Sequence, residues 1–135
     1  ATLERLETLS VPILGYQTNK FPGFYLTDSG FELEHRVETP RDIAQIWRAR
    51  GDVAINKSAL IVANPVSNQM ERALHDQLLF DGLSKAKIDG VVGKAVTPFL
   101  LDYFHTNSKG ESLRVNIEII KANAALAAQI AVALK

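Results

Sequence analysis

The chain has 135 residues, of which 47% are hydrophobic and 22% charged, a composition typical of a globular domain and not of a membrane protein. Fifteen basic and fifteen acidic residues give a formal net charge of zero, and no run of lysine or arginine occurs, so nothing indicates a surface for duplex nucleic acid or an anionic membrane. The absence of cysteine excludes disulfides and thiolate chemistry, and it is compatible with the cytoplasm, where we expect the protein.

The first half of the chain predicts short strands and helices in alternation. Thr2 can cap an amphipathic helix, and the apolar run from Val11 to Tyr16 is typical of a buried strand. A brief strand is predicted at residues 35–37. Thr39 followed by Pro40 has the pattern of an N-cap and a first helical position, so a second helix is expected to begin there.

The second half continues the alternation. Residues 58–65 form the clearest buried strand, and a helix is predicted from about Gln69 to Leu83. The Thr97-Pro98 pair repeats the cap-then-proline signal, and Ser112 is the expected N-cap of a long, apolar final helix. Strands that alternate with helices indicate an α/β fold of layered strands and helices. We treat residues 1–135 as a single domain or as part of one.

Two asparagines seven residues apart in the final helix, Asn116 and Asn123, are the strongest functional signal. The charged and amide side chains of that helix fall on one stripe at about 100° per residue: Arg114, Glu118, Lys121 and Gln129. Both asparagines point away from this stripe and are expected to face inward. A buried amide without a partner costs about 1–3 kcal/mol, so each either holds another segment or meets a polar ligand.

Three other groups of residues lie at expected strand ends or helix starts, where open α/β sheets usually build their sites: residues 15–18, 63–65 and 93–99. In the last group, Thr97 either caps its helix or contacts a ligand. Lys94 either neutralises a phosphate at the helix start or is simply solvated. The common nucleotide, hydrolase and zinc motifs are missing, so the residues themselves indicate no catalytic group and no metal site.

Six segments, taken in order, closely resemble the pseudouridine-5'-phosphate glycosidases. These segments are residues 2–8, 11–18, 21–25, 62–65, 93–101 and 112–117. The resemblance spans nearly the whole chain, and six segments in the correct order are far more specific than any one of them. Members of that family are about twice as long, so the resemblance implies the C-terminal half of a larger α/β/α enzyme fold.

The resemblance also implies a reaction. In that family the carbon–carbon glycosidic bond of pseudouridine 5'-phosphate is cleaved reversibly to uracil and ribose 5-phosphate, with a divalent metal such as manganese. A lysine amine forms a Schiff base with the sugar, and an acidic residue transfers a proton at the base. These groups and the metal-binding aspartate belong to the family's N-terminal half, with the lysine placed before the position of Ala1. The family forms homotrimers, and its partners are small molecules.

One functional residue carries over from the resemblance. Asn116 aligns with the asparagine of the family's Ser-Leu-x-x-Asn-Ile motif that contacts substrate, and an amide can donate to a uracil carbonyl while it accepts from a ring N–H. Asn123 aligns with the second asparagine of a pair common in the family, where a structural bond is favoured. The alternative function is a non-catalytic binding or assembly module that retains the fold. Under both hypotheses the chain alone is expected to be inactive.

Overall fold

A computed structural model of the chain describes residues 2–52 and 58–135. In chain order its helices and strands are α1 (Thr2–Thr8), β1 (Ile13–Tyr16), β2 (His35–Val37), α2 (Pro40–Asp52), β3 (Ile61–Ala63), α3 (Arg72–Ile88), a 3-10 turn (Gly93–Ala95), α4 (Val96–Asn107) and α5 (Glu111–Ala133). The strands predicted at 11–16, 35–37 and 58–65 are all present, the first and third with shorter bounds. The predicted α/β class is therefore confirmed.

The three strands form a parallel sheet in the order β2-β1-β3. In the central strand β1, Leu14 lies opposite His35 of β2 on one side and opposite Val62 of β3 on the other. Parallel strands require a crossover connection, which α2 provides between β2 and β3. Because the strands are parallel, the chain leaves β1 and β3 at the same edge of the sheet.

Two hydrophobic clusters hold these elements together. The first cluster contains Tyr25, Val66, Met70, Leu78, Phe104 and Val115. The second cluster contains Leu14, Val37 and Ile43, with Ile46, Leu60, Val62 and Ile130 among the residues packed against it. The rings of Tyr25 and Phe104 stack in the first cluster with their centroids 5.2 Å apart. Helix α5 contributes to both clusters, because Val115 lies near its start and Ile130 near its end.

Helices α2 and α3 begin at residues whose side chains satisfy free backbone N–H groups. The predicted cap at Thr39 is confirmed, since its hydroxyl accepts from the N–H of Asp42 at 3.2 Å and the Asp42 carboxylate accepts from the N–H of Thr39 at 2.8 Å. Helix α3 begins three residues later than expected from the apolar pattern. The Glu71 carboxylate caps it by accepting from the N–H groups of Ala73 at 2.9 Å and Leu74 at 2.7 Å.

Lowering the pH from about 7 to about 3 is expected to weaken both helix starts. Hydrogen bonds from backbone N–H groups, Thr39 for Asp42 and Ala73 for Glu71, hold the pKa of each carboxyl below its usual value. Such a group stabilises the fold above its unfolded pKa of about 4, and that stability is lost as the pH falls through the folded pKa. The urea concentration at the midpoint of unfolding should therefore be lower at about pH 3 than at about pH 7. In Glu71→Gln the difference between these two midpoints should be smaller. If the difference between the two midpoints in Glu71→Gln equals that of the unaltered chain, the ionised Glu71 carboxylate does not stabilise the start of α3.

Helix α5 begins at Glu111, so the predicted N-cap at Ser112 was wrong and this residue lies inside the first turn. The cap position is Gly110, whose φ of 89° suits glycine, and the Ser108 hydroxyl accepts from the N–H of Ser112 at 3.0 Å. Among the described residues, α5 is the one helix long and apolar enough to cross a membrane, with a mean hydropathy of 1.3 over an 18-residue window. The expectation of no membrane partner stays a prediction.

Candidate functional site

A pocket of about 400 Å³ opens where β1 and β3 end. It is lined by Tyr16, Gln17, Thr18, Lys20, Thr27, Asp28, Asn64, Pro65, Val66 and Ser67. Its volume lies within the range of small-molecule sites, and its position at the carboxyl edge of a parallel sheet is where such folds bind ligands. Two of the three groups of residues predicted from the sequence, 15–18 and 63–65, meet here. We take this pocket as the candidate site.

A larger cavity of about 490 Å³ lies between α1 and the amino ends of β1 and β2. Its polar rim is acidic, with Glu4, Glu7, Glu32 and Glu34 around an apolar floor. The size of this cavity favours it, but it lies at the opposite edge of the sheet. Ser10 is the one amide or hydroxyl side chain in its described lining, whereas several such groups line the smaller pocket. The smaller pocket is therefore the better candidate.

A sharp turn after β1 shapes one wall of the pocket. The chain passes so close to Gly15 that a Cβ there would lie 2.1 Å from the backbone oxygen of Thr18. Gln17 adopts a left-handed φ of 56° and is held from two sides. Its backbone N–H donates to the carbonyl of Val37 at 2.8 Å, and its Nε2 donates to the carbonyl of Glu38 at 3.0 Å. The end of β2 therefore fixes the residue that follows β1.

Lys20 places a cationic group in the pocket wall. Its Nζ donates to Glu32 Oε1 at 2.9 Å, and this hydrogen bond with the nearby negative charge raises the pKa of Lys20. A raised pKa keeps the amine protonated, whereas a nucleophilic lysine requires a lowered one. Lys20 can therefore hold or attract an anionic group, but it is unsuited to covalent catalysis.

The opposite wall is the segment that follows β3. Asn64 Nδ2 donates to Asn123 Oδ1 at 3.0 Å, which ties this wall to α5. The Gln69 side chain accepts from both the N–H and the hydroxyl of Thr27, at 2.9 and 2.8 Å, which joins the segment to the loop after β1. These hydrogen bonds join the wall to α5 on one side and to the loop after β1 on the other. The structural bond favoured for Asn123 is present.

The asparagines of α5 do not both face inward as predicted. Asn123 is exposed, although it bonds to Asn64, and Asn116 is half-buried at the border of the packed face. Asn116 is not one of the residues that line the pocket, and within the described ranges its side chain has no hydrogen-bond partner. Arg114 and Glu118, placed by the periodicity on the solvent side, are half-buried and paired at 2.8 Å. The helix is therefore rotated from the predicted orientation.

Lys94 and Thr97 lie outside the pocket. Both are exposed, and the predicted cap at Thr97 was wrong, because α4 has its N-cap at Ala95 without a side-chain hydrogen bond. A 3-10 turn that starts at Gly93, with φ of 60°, brings the chain into the helix earlier than the sequence suggested. Thr97 and Pro98 consequently fall within the first turn, where proline costs no hydrogen bond.

Sequence reasoning missed several pocket residues, above all Lys20, Thr27 and Asp28. A weak signal existed for Asp28, whose carboxylate accepts from the N–H of Gly30 at 2.7 Å in an Asx turn, a pattern that Asp-Ser-Gly favours. The described residues were also compared with the ligand groups that metal ions require. Among residues 2–52 and 58–135, no group of three or more histidine, aspartate or glutamate side chains is placed to hold one.

Sequence comparison finds relatives along nearly the whole chain. A family model described as Indigoidine synthase A like protein matches residues 1–133. Pseudouridine-5'-phosphate glycosidases of Salinispora tropica and Saccharopolyspora erythraea are 53% and 46% identical over 98% and 99% of this chain. The chain covers 42% and 45% of those proteins, so it spans less than half of their length.

Two solved structures share the fold. An indigoidine synthase A-like protein from Thermotoga maritima superposes with a TM-score of 0.83 at 34% identity, over 99% of this chain and 44% of that one. The prealnumycin C-glycosynthase AlnA, crystallised with ribulose 5-phosphate, superposes with a TM-score of 0.86 at 24% identity, over 98% of this chain and 44% of that one. At 24% identity, the likeness to AlnA shows only that the two proteins share a fold.

Proposed function

The chain belongs to the indigoidine synthase A-like protein family, and from this premise we propose that it is the C-terminal portion of a pseudouridine-5'-phosphate glycosidase. The proposed reaction is reversible cleavage of the carbon–carbon glycosidic bond of pseudouridine 5'-phosphate to uracil and ribose 5-phosphate. The observation that carries the proposal is 53% identity with the Salinispora tropica glycosidase over 98% of the chain. Because the chain spans less than half of that relative, the activity is proposed for a complete protein.

The part of this chain in the reaction is to bind and orient the substrate. Asn116 is proposed to contact the uracil edge, which offers a carbonyl and a ring N–H that one amide can satisfy together. Its half-buried side chain, which has no partner among the described residues, supports that role. Asn123 acts through Asn64, to which it is bonded. We assign no role to Lys94 or Thr97, since the side chains of both are exposed and neither lines the pocket.

The pocket residues suit the sugar and the base of the proposed substrate better than its phosphate. Neutral donors and acceptors such as Tyr16, Gln17 and Asn64 dominate its lining, with Lys20 as a cation and Asp28 as an anion. Hydroxyl and amide groups orient ribose hydroxyls and base carbonyls by hydrogen bonds. We therefore propose that this pocket forms part of the substrate site of the complete enzyme.

The covalent chemistry is proposed to come from the region of the relatives that this chain does not span. A lysine amine there would form the Schiff base with the sugar, and an acidic residue would transfer the proton at uracil. The ligands of a divalent metal, proposed to be manganese, would lie there as well, as the family resemblance implies. A homotrimeric assembly and a cytoplasmic location complete the proposal.

A hybrid enzyme tests this function. In the hybrid, this chain replaces the matched region of the Salinispora tropica glycosidase. We expect the hybrid to release uracil from pseudouridine 5'-phosphate, measured by chromatography. We expect this chain alone to release none, because the bond to Glu32 raises the pKa of the Lys20 amine and no other lysine lines the described pocket. The unaltered relative is the positive control. A folded hybrid without turnover would refute the proposal, and turnover by the chain alone would refute the location of the nucleophile.

A further inference from the structure

One face of α5 is apolar and exposed to solvent. We call it the α5 stripe, and it consists of Leu113, Ile117, Ile120, Ala124, Ala127 and Ala131, all of which are exposed. At 100° per residue these side chains fall within an arc of about 80°. The arc lies nearly opposite Val115 and Leu126, which face the core. The α5 stripe is therefore a second apolar face, separate from the one that packs on this chain.

The total surface of the chain is larger than its mass predicts. A compact monomer of this mass exposes about 7,000 Å², whereas this chain exposes 9000 Å². An excess of about 2,000 Å² on one partner corresponds to a large, permanent interface and not to a transient contact. Exposed side chains such as Ile120, at 61% of its full accessibility, contribute to this excess. The chain as a whole thus exposes enough surface for an interface with another polypeptide segment.

The solved relatives indicate what covers it. This chain superposes almost completely on both structures, yet it accounts for 44% of each, so more than half of each chain lies outside the matched region. We propose that the α5 stripe is the docking face for that remaining part of the fold. The proposal rests on the family's fold and is independent of the reaction proposed above. The alanines of its second half allow a close approach of the partner backbone.

Docking at this face has a consequence for Asn116. On the helix, Asn116 lies between the core-facing side and the α5 stripe, about 60° from the centre of the stripe. A segment that covers Ile117 and Ile120 would therefore also enclose the Asn116 amide. The partner segment would complete the surroundings of this side chain, and a polar ligand held between the two parts would reach it. We therefore infer that the partner of the Asn116 amide is a polar group at the border of the α5 stripe.

Thiol labelling tests the docking face without any need for turnover. The chain has no cysteine, so Ile120→Cys and Ala124→Cys each introduce one reactive thiol at an exposed position. Each variant is labelled with a maleimide in this chain alone and in the hybrid with the Salinispora tropica protein, and the modified sites are identified by mass spectrometry. We expect labelling at least about tenfold slower in the hybrid, because the core of an interface is as tightly packed as a protein interior. Ser84→Cys, exposed on α3, is the matched control and should react equally in both.

Other outcomes would overturn the proposal. Equal labelling of Ile120→Cys in the chain and the hybrid would show that the stripe stays open. Protection that appears in the chain alone and increases with its concentration would assign the stripe to a second copy. Protection of the chain by phosphatidylcholine vesicles would assign it to a lipid surface. If the hybrid fails to fold, the same substitution at the aligned position of the Salinispora tropica protein provides the readout.

Discussion

Replacing Gly15 with alanine is expected to destabilise the chain by at least about 3 kcal/mol, the upper end of the cost of overpacking. A Cβ at this position would lie 2.1 Å from the backbone oxygen of Thr18 and 3.0 Å from Leu33 Cδ1. A backbone oxygen cannot rotate away as a side chain can, so the turn after β1 would have to move. Because Gly15 pairs with Arg36 on one side and Ala63 on the other, the movement would disturb both strand pairings.

Urea unfolding, followed by the fluorescence of the single tryptophan, Trp47, measures this loss. Gly51→Ala is the matched control, since a Cβ there meets nothing within 4 Å and the residue lies in α2. Alanine is favoured over glycine in a helix by up to about 1 kcal/mol, so the control should keep or gain stability. If Gly15→Ala and the unaltered chain unfold at the same urea midpoint, the turn after β1 accommodates the added Cβ without loss of stability.

Replacing Asn116 with alanine in the hybrid is expected to lower kcat/KM for pseudouridine 5'-phosphate by about 30- to 140-fold. In the proposed role the amide makes two hydrogen bonds to the uracil edge, each with a net value of about 1–1.5 kcal/mol. Since 1.4 kcal/mol corresponds to a factor of ten, the two bonds together account for this range. Stability should change little, because within the described residues Asn116 makes no hydrogen bond that the substitution would break.

Asn123→Ala, which would act on the pocket only through Asn64, is the comparison on the same helix. Its amide is engaged by Asn64, so its removal should reduce kcat/KM by less than about threefold. Asn116→Asp, which keeps the size but loses the donor, should resemble Asn116→Ala in activity. A kcat/KM within twofold of the unaltered hybrid, or a loss of thermal stability that accounts for all of the lost activity, would exclude substrate contact by Asn116.

The position of the pocket could be predicted from the sequence. Residues 15–18 and 63–65 each end an apolar run with turn-forming residues, and two parallel strands necessarily leave the sheet at one edge. The loop between β1 and β2 could not be predicted in this way. It supplies Lys20, Thr27 and Asp28, but it has no helical or strand period, so its path depends on contacts such as those of Gln69 with Thr27.

Asn123 was predicted to face inward, and this prediction was wrong because of the way in which the buried side of α5 was located. The prediction placed the buried side of α5 opposite its polar stripe, which is valid when a helix has one apolar face. Helix α5 has two, since Val115 and Leu126 face the core while Ile117 and Ile120 face solvent. Polar residues alone cannot then define which side packs inward. The contacts of neighbouring elements decide it, and a single sequence does not contain them.

The entry of α5 into both hydrophobic clusters determines how the chain unfolds. Val115 belongs to the first cluster and Ile130 packs on the second, four helical turns away. Loss of the whole helix would remove a side of both clusters at once. We therefore expect the sheet and the α3–α4 region to unfold together in a single cooperative transition.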